Sequence, residues 1–150
     1  MATTPLSLTG RALRLLSARE HSRAELERKL APYEEEPGAL TKVLDALQAK
    51  DFINEARVVE SVVHRRSAKL GSARIRYELS GKGLAAEVVE QAVQLLRGSE
   101  LERARAIWQN KFGARPDSPA EQGKQIRFLA SRGFDGDTIR RVIANSPDVD

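Results

Sequence analysis

Apolar residues recur at helical spacing along almost the whole chain, and this pattern limits the fold more than any other feature. The clearest stripe has members three or four positions apart, and it consists of Ala85, Val88, Val89, Ala92, Val93 and Leu96. Such spacing places the apolar side chains on one face of a helix. Shorter stripes of the same kind run through Leu13, Leu44, Val59, Trp108 and Val142. We therefore predict nine short helices and no sheet.

Residues that start and stop helices separate these stripes. A serine followed three positions later by glutamate is typical of a capping box at a helix start. The sequence has three such pairs: Ser22 with Glu25, Ser99 with Glu102, and Ser118 with Glu121. Glycines where a left-handed helix end is expected are Gly98, Gly113 and Gly133. The stretch RIRYEL, residues 74–79, alternates like a strand, but its short length and a cap at Ser72 favour a helix.

A short motif recurs along the chain. LQAKDF (47–52), LSGKGL (79–84) and LASRGF (129–134) share a leucine, a cation three positions later and an apolar residue after the turn. The cation suits the negative end of the helix dipole. Three segments of three short helices then fill residues 9–53, 54–98 and 99–146. A unit this small buries little surface alone, so neighbouring units should pack on one another. We predict an all-α fold of tandem three-helix repeats in an elongated, curved array.

Few residues in the chain point to catalysis or to a metal. The chain has no P-loop and no cysteine. His21 and His64 are far apart in sequence, and we expect both at the surface. The acidic run at residues 34–36 is typical of a solvated loop. Trp108 and Phe112 fall on an apolar stripe, so we expect core packing for them, not base stacking. These observations predict a protein that is not an enzyme and needs no cofactor or metal.

The first twenty residues lack the charged segment and apolar segment of a signal peptide. No apolar run approaches the ~18 residues that a membrane span needs. The absence of cysteine is compatible with a reducing compartment. We therefore expect a soluble, monomeric cytoplasmic protein with no membrane partner.

Basic residues are concentrated in the middle of the chain. The formal net charge is +4, and between Arg57 and Lys82 there are seven basic residues against two acidic ones. A local excess of positive charge favours a polyanionic partner. The candidate partner-binding residues are Arg57, Arg65, Arg66, Lys69, Arg74, Arg76 and Lys82.

Two of these cations have alternative interpretations. Arg66 follows Val62 and Val63 by four and three positions, so it projects from the apolar side of its helix. It either neutralises the helix C-terminus from the edge of the core or points into a groove between helices. Arg74 stands four positions before Glu78, a spacing that predicts an ion pair along the helix.

The central stretch resembles a known family. FINEARVVESVVHRRSAKLGSARIRYELSGKGL (52–84) is similar to the signature of the RecX family, bacterial regulators of the RecA recombinase. ALRLLSAREHSRAELERKL (12–30) resembles the opening of that family, and FLASRGFDGDTIRRVI (128–143) resembles its ending. The resemblance covers nearly the whole chain in order. Asp51 stands where the family usually has glycine, Glu55 where aspartate is common, and Ser72 where proline is frequent.

The resemblance implies a protein that lodges in the groove of the RecA–DNA filament. It implies inhibition of the RecA ATPase, strand exchange and co-protease activities, in recombination, DNA repair and the SOS response. The basic stretch would then bind the anionic filament, and weak, sequence-independent binding to DNA is expected beside it. The main alternative is a stand-alone helical DNA-binding module. Against it, no helix presents a cluster of Arg, Asn and Gln suited to reading base edges. A third alternative, a purely structural helical scaffold, does not account for the segregated charge.

Overall fold

A computed structural model describes residues 5–144 of the chain. Within this range there are nine α-helices, one short 3-10 helix at Ala31–Tyr33 and no strand, which confirms the predicted all-α class. The helices are α1 (Leu8–Ala18), α2 (Arg23–Leu30), α3 (Ala39–Ala49), α4 (Glu55–Arg66), α5 (Ser72–Gly81), α6 (Ala86–Arg97), α7 (Glu100–Lys111), α8 (Pro119–Ser131) and α9 (Gly136–Ala144). The ambiguous stretch RIRYEL lies within α5, as predicted.

Each set of three helices has its own apolar core. The first repeat (α1–α3) encloses Leu26, Leu30 and Leu44, among others. The second repeat (α4–α6) encloses Val62, Ile75 and Leu79, and the third repeat (α7–α9) is built around Trp108, Leu129 and Phe134. Trp108 is buried and donates its indole N–H to Gln125 Oε1 at 2.8 Å. Three separate cores are the arrangement expected of tandem repeats. The exact boundaries 9–53, 54–98 and 99–146 remain predictions, and residues 145 and 146 lie outside the described residues.

Three helix starts agree with the predicted cap residues, although only two of these form the cap bonds, and the start of α5 differs. Ser22 and Glu25 form a complete capping box, and the Ser118 hydroxyl accepts the Glu121 N–H. Ser99 is the N-cap of α7 as predicted, but the capping box with Glu102 does not form, because the Ser99 hydroxyl donates to the Leu96 carbonyl and accepts from Arg103. The N-cap of α5 is Gly71, not Ser72. At Ser72 a tertiary partner, the Glu100 carboxylate, takes the place of the predicted cap.

Left-handed backbone occurs at two of the three predicted glycines. Gly113 and Gly133 have φ of 71° and 97°, whereas α6 ends at Gly98 with an ordinary φ of −62°. Asp51, at the position where glycine was expected, also has a left-handed φ of 66°. Aspartate tolerates this region better than most residues because its short polar side chain bonds locally. Here its carboxylate accepts from Asn54 and Arg57.

The recurrent motif occupies two different places in the fold. LSGKGL and LASRGF join the second helix to the third helix of one repeat, α5 to α6 and α8 to α9. LQAKDF joins α3 to α4 and so connects the first repeat to the second. The two equivalent turns pack in equivalent ways, because each contacts the start of the second helix of the preceding repeat. We call these contacts the first junction, between the first and second repeats, and the second junction, between the second and third.

The first junction is made mainly by side chains. The turn after α5 contacts the start of α2, where the Ser22 hydroxyl donates to the Lys82 carbonyl. Arg28, in the last turn of α2, donates to the Gly81 carbonyl at 3.1 Å. The Lys82 ammonium lies 3.4 Å from the Glu25 carboxylate. A Cβ added to Gly83 would lie 2.5 Å from the Ala24 Cβ, so this close approach requires glycine.

The second junction includes direct hydrogen bonds between backbone groups. The N–H of Gly71 donates to the Arg132 carbonyl at 2.7 Å, and the N–H of Ala73 donates to the Gly133 carbonyl at 3.2 Å. These contacts pair free N–H groups at the start of α5 with free carbonyls at the end of α8. A Cβ added to Gly133 would lie 2.5 Å from Arg74 Cγ and 2.7 Å from its backbone nitrogen.

A charged pair on α7 supports the second junction. The Glu100 carboxylate accepts from the N–H and the hydroxyl of Ser72, at 2.9 and 2.7 Å. Its partner Arg103 donates to the Leu70 carbonyl at 2.7 Å and to the Ser67 carbonyl at 3.0 Å. The acid therefore caps the start of α5, and the base caps the chain that follows α4. Each charge lies at the helix end whose dipole it complements.

Candidate functional site

A groove of about 440 Å³ lies where the second repeat meets the third. Four cations, one acid and one tyrosine line it together with Leu70, and we call it the basic groove; these residues are Arg66, Lys69, Arg74, Arg132, Glu78 and Tyr77. The second junction brings Arg132 to the other three cations by placing the end of α8 at the start of α5. An excess of cations in a concave surface concentrates positive potential there.

Glu78 forms ion pairs with the end of α4. Its carboxylate oxygens lie 3.0 Å from Arg66 Nε and 3.5 Å from Arg65 Nη2. The interpretation of Arg66 as a cation in a groove between helices therefore agrees with its position, since it faces α5 across the basic groove. The predicted ion pair between Arg74 and Glu78 does not form among residues 5–144. Arg74 donates instead to the Ser131 carbonyl at 2.7 Å. This carbonyl at the end of α8 is a partner that helical spacing alone does not indicate.

Lys69 and Arg132 also line a second, neighbouring groove of about 490 Å³. Its other residues come chiefly from α7 and α8, and they include Ile107, Lys111 and Phe128. The Arg132 guanidinium lies 4.7 Å from the centre of the Phe128 ring, and the Lys111 ammonium lies 5.5 Å from it. The ring holds both cations by cation–π attraction. Positive charge therefore continues from the basic groove onto the third repeat.

Two of the seven candidate residues participate in contacts around the first junction. Lys82 has a side chain only 12% exposed, and it is paired with Glu25. Arg57 binds the Glu20 carboxylate at 2.9 Å and the Asp51 carboxylate at 2.8 Å. The hydrogen bond to Glu20 raises the pKa of Arg57 above its usual value, and the bond to Asp51 adds to the effect. The structure does not bring Arg57 or Lys82 into the basic groove.

Arg76 has a third environment. It lies on α5 and is paired with Glu90 of α6, within the second repeat. Successive positions 74 and 76 diverge on a helix, so Arg74 and Arg76 serve different surfaces. Of the seven candidates, Arg66, Lys69 and Arg74 line the basic groove, and Arg65 reaches it through Glu78.

Two titratable groups next to the first junction have lowered pKa values. Burial opposes ionisation of Glu25, but hydrogen bonds from Arg19 and the Ser22 N–H, with Lys82 nearby, lower its pKa to about 2. Burial also lowers the pKa of His21, whose ring nitrogens contact the Arg19 carbonyl and the Lys29 ammonium. The prediction of a surface position for His21 is wrong, since it is only 1% exposed. Its polar neighbours explain how this side chain is accommodated.

Three residues of the two grooves were missed as candidates. Arg132 and Lys82 occupy the same position of the recurrent motif. The motif does not indicate that Arg132 lines a groove whereas Lys82 forms an ion pair with Glu25. Tyr77 is one of the alternating apolar residues of RIRYEL, yet its side chain is 80% exposed and lies outside the core of the second repeat. Lys111 is sequentially remote from the basic stretch. Only packing of the third repeat on the second brings these residues together.

Residues 5–144 contain no cluster of histidine, aspartate and glutamate that could hold a metal ion. In the same range, no helix combines the length and the apolar character needed to cross a bilayer. The basic groove presents guanidinium and ammonium donors. Its chemistry suits binding of phosphate or carboxylate groups.

Comparison with known families and proteins gives one answer along the chain. Residues 10–47, 54–93 and 99–143 match the first, second and third three-helix domains of RecX, in that order. The chain is 54% identical to the regulatory protein RecX of Leptothrix cholodnii over 138 residues, which cover 92% of this chain and 88% of the relative. It is 44% identical to the regulatory protein RecX of Ralstonia nicotianae, with 93% and 87% covered.

Solved structures show the same fold. The crystal structure of RecX from Lactobacillus salivarius matches with a TM-score of 0.77 and 26% identity, covering 91% of this chain and 92% of that one. A second crystal structure, of a regulatory protein RecX, matches with a TM-score of 0.74 at 18% identity and covers 97% and 83%. The second likeness concerns the fold alone.

Proposed function

The chain belongs to the RecX family of regulatory proteins, and from this premise we propose that it regulates the RecA recombinase. It binds the groove of the RecA–DNA filament and inhibits the ATPase, strand-exchange and co-protease activities of RecA. It does so as a cytoplasmic monomer that is not itself an enzyme. Bare DNA is a weaker, sequence-independent partner.

The basic groove is the observation that carries this proposal. Four cations from two repeats line it, and Glu78 is the only acid in its lining. A nucleoprotein filament is an extended polyanion, so a concave cationic surface matches it in sign and shape. Arg66, Lys69, Arg74 and Arg132 would contact the filament, with Arg65 beside them. The inclusion of Arg57, Arg76 and Lys82 as partner-binding residues has less support, because their charges are paired inside the chain.

The alternative is a helical module that binds DNA without RecA. Phosphate contacts position a protein on DNA, but base contacts supply sequence specificity. The basic groove offers arginine and lysine and no asparagine or glutamine, so it is suited to phosphates and poorly suited to reading adenine edges. Binding to DNA alone should therefore be weak and sequence-independent, and it should weaken steeply with added salt.

The direct test measures phosphate release by RecA on single-stranded DNA with ATP, with and without this protein. We expect the protein to lower the rate at concentrations too small to coat the bare DNA. Undiminished ATP hydrolysis with RecA fully occupied by DNA would contradict the proposal. Sequence-selective binding to a duplex, together with undiminished hydrolysis, would favour the stand-alone DNA-binding module.

A pair of double variants identifies the surface responsible. Arg65→Ala with Arg66→Ala removes two cations beside the groove, whereas Arg140→Ala with Arg141→Ala removes two exposed cations of α9. We expect the first variant to keep its helicity, inhibit RecA less and show a shallower salt dependence of binding. The second variant serves as a control of equal charge, and it should inhibit nearly as well as the original protein. Equal losses in both variants would indicate a diffuse basic surface.

A further inference from the structure

Tyr77 is an exposed aromatic residue on the rim of the basic groove. It is 80% exposed, although it lies on α5 between the buried residues Ile75 and Leu79. The helical positions of Arg74, Tyr77 and Glu78 place all three on one face. Arg66, Lys69, Arg74 and Arg132 line the same groove as the tyrosine ring. The ring therefore stands in water among cations, where it adds nothing to the core of its own repeat.

The other tyrosine in the chain has a different environment. Tyr33 lies in the first repeat, away from the basic groove, and is 48% exposed. The Arg11 guanidinium lies 3.7 Å from the centre of its ring. One face of Tyr33 is therefore covered by a cation of its own chain. No such cation–π partner of Tyr77 is found among residues 5–144.

We propose that the basic groove binds single-stranded DNA, with the phosphates on its cations and an unpaired base stacked on Tyr77. Sites of this kind combine a cationic track for the backbone with an aromatic ring for the bases. In a duplex the base faces are already stacked on one another, so the ring of Tyr77 has no partner there. The tyrosine then makes the groove selective for single strands, although the phosphate contacts alone are not selective. This inference deepens the DNA-binding part of the proposed function and rests on it.

The test uses the full-length protein and labelled oligonucleotides, without RecA. Fluorescence anisotropy gives the affinity for a thymidine 20-mer, for a duplex of the same length, and for a 20-mer that is abasic throughout. Tyr77→Ala should weaken binding to the thymidine oligonucleotide by about fivefold or more, the effect of losing one stacked base. Affinity for the duplex and the abasic oligonucleotide should stay within about twofold. Tyr77→Phe retains the ring and should bind as the original protein does.

Tyr33→Ala is the matched control, because it removes the other exposed tyrosine and leaves the groove intact. It should leave all three affinities unchanged. The proposal is overturned if Tyr77→Ala weakens all three oligonucleotides equally, or changes none of them. Loss of RecA inhibition by Tyr77→Ala with unchanged single-strand affinity would also overturn it, and would assign the ring to a protein contact.

The outcome is separable from that of the proposed function. If the original protein fails to inhibit the RecA ATPase but Tyr77→Ala still loses single-strand affinity, the stacking site stands and RecA regulation fails. If inhibition is intact and the oligonucleotide affinities do not depend on Tyr77, the reverse conclusion holds. Circular dichroism of Tyr77→Ala should be unchanged, since its side chain is exposed.

Discussion

At both junctions, the turn after the second helix of one repeat packs on the start of the second helix of the repeat before it. The first junction uses side-chain charge, with Lys82 held by Glu25 and Arg28 donating to Gly81. The second junction uses backbone hydrogen bonds from Gly71 and Ala73 to the end of α8. The same architecture therefore has two different chemistries.

This difference determines where cations are available to a partner. At the first junction, Lys82 is buried in an ion pair, so its charge is neutralised within the chain. At the second junction, backbone bonds share the contact with the side chains of Glu100 and Arg74, and the side chains of Lys69 and Arg132 line a groove. The cations that remain available to a partner therefore lie between the second and third repeats.

The largest expected effect comes from breaking the second junction at Gly133. Gly133→Ala should lower the free energy of unfolding by about 2–5 kcal/mol, because a left-handed alanine is strained and its Cβ overlaps Arg74. Urea denaturation followed by fluorescence of Trp108, the single tryptophan, measures the loss. Gly81→Ala is the control, since no atom lies within 4 Å of its added Cβ. Similar losses in both variants would show that backbone proximity does not limit the second junction.

The second largest effect is expected from acid at the first junction. Protonation of Glu25 should lower the free energy of unfolding by about 2–3 kcal/mol. The pKa of Glu25 is about 2 in the folded chain against an ordinary value of 4.5. Its stabilisation is therefore complete above pH 4.5 and is lost as the pH falls towards 2. The lowered pKa of His21 adds a loss that begins below pH 6.5, because unfolding lets the ring protonate.

Denaturation curves of the original protein and Glu25→Gln, recorded from pH 7 to pH 3, separate the two groups. The difference in stability between the proteins should be largest at pH 7 and shrink below pH 4.5. The loss due to His21 should remain in the variant. A constant difference across this range would show that Glu25 acts through packing alone.

Two lysines that look alike in the sequence should behave differently. Lys82→Ala removes a cation that is 12% exposed and paired with Glu25, so we expect a loss of about 1–2 kcal/mol in stability. Lys69 is exposed, and no ion pair of Lys69 is found among residues 5–144. Lys69→Ala should therefore change stability by less than ~0.5 kcal/mol and weaken binding to a polyanion. Thermal unfolding and anisotropy on the same samples compare the two. The reverse order of stabilities would remove the contrast between the junctions.

The smallest expected effect concerns Glu78, which neutralises cations of the basic groove from within. Glu78→Gln should raise the affinity for single-stranded DNA about two- to fivefold, because Arg65 and Arg66 no longer share their charge with a carboxylate. Its salt dependence should become steeper. Glu90→Gln is the control, since Glu90 pairs with Arg76 and does not line the groove. An equal gain in both variants would indicate an effect of net charge only.

Several parts of this arrangement were predictable because they depend on neighbours in sequence. Apolar spacing together with the cap signals predicted nine helices, as found in residues 5–144, and the Ser22–Glu25 capping box formed as expected. The same reasoning failed at Ser99, Ser72 and Gly98. At Ser99 the hydroxyl bonds Arg103 of the same helix and caps no N–H, whereas at Ser72 a partner from elsewhere in the fold, Glu100, replaces the local cap. Local rules lose to tertiary hydrogen bonds when the latter satisfy the same groups.

The candidate site was predictable in its charge but not in its membership. Seven cations were identified from their density in the sequence, and three of them line the basic groove. Arg132 was not among them, although it contributes to the groove from more than fifty positions away. Tyr77 was noted only as part of an alternating pattern.

The sequence by itself determined the class of this protein. Periodicity, caps and the recurrent turn specify three-helix repeats, because each depends on residues within a few positions of one another. Only the tertiary structure decided which cations remain available to a partner. Lys82 and Arg132 hold the same place in their motifs, yet one meets the buried Glu25 and the other faces a groove. The physical reason is that a charge is neutralised by what packs against it, and that partner comes from another repeat.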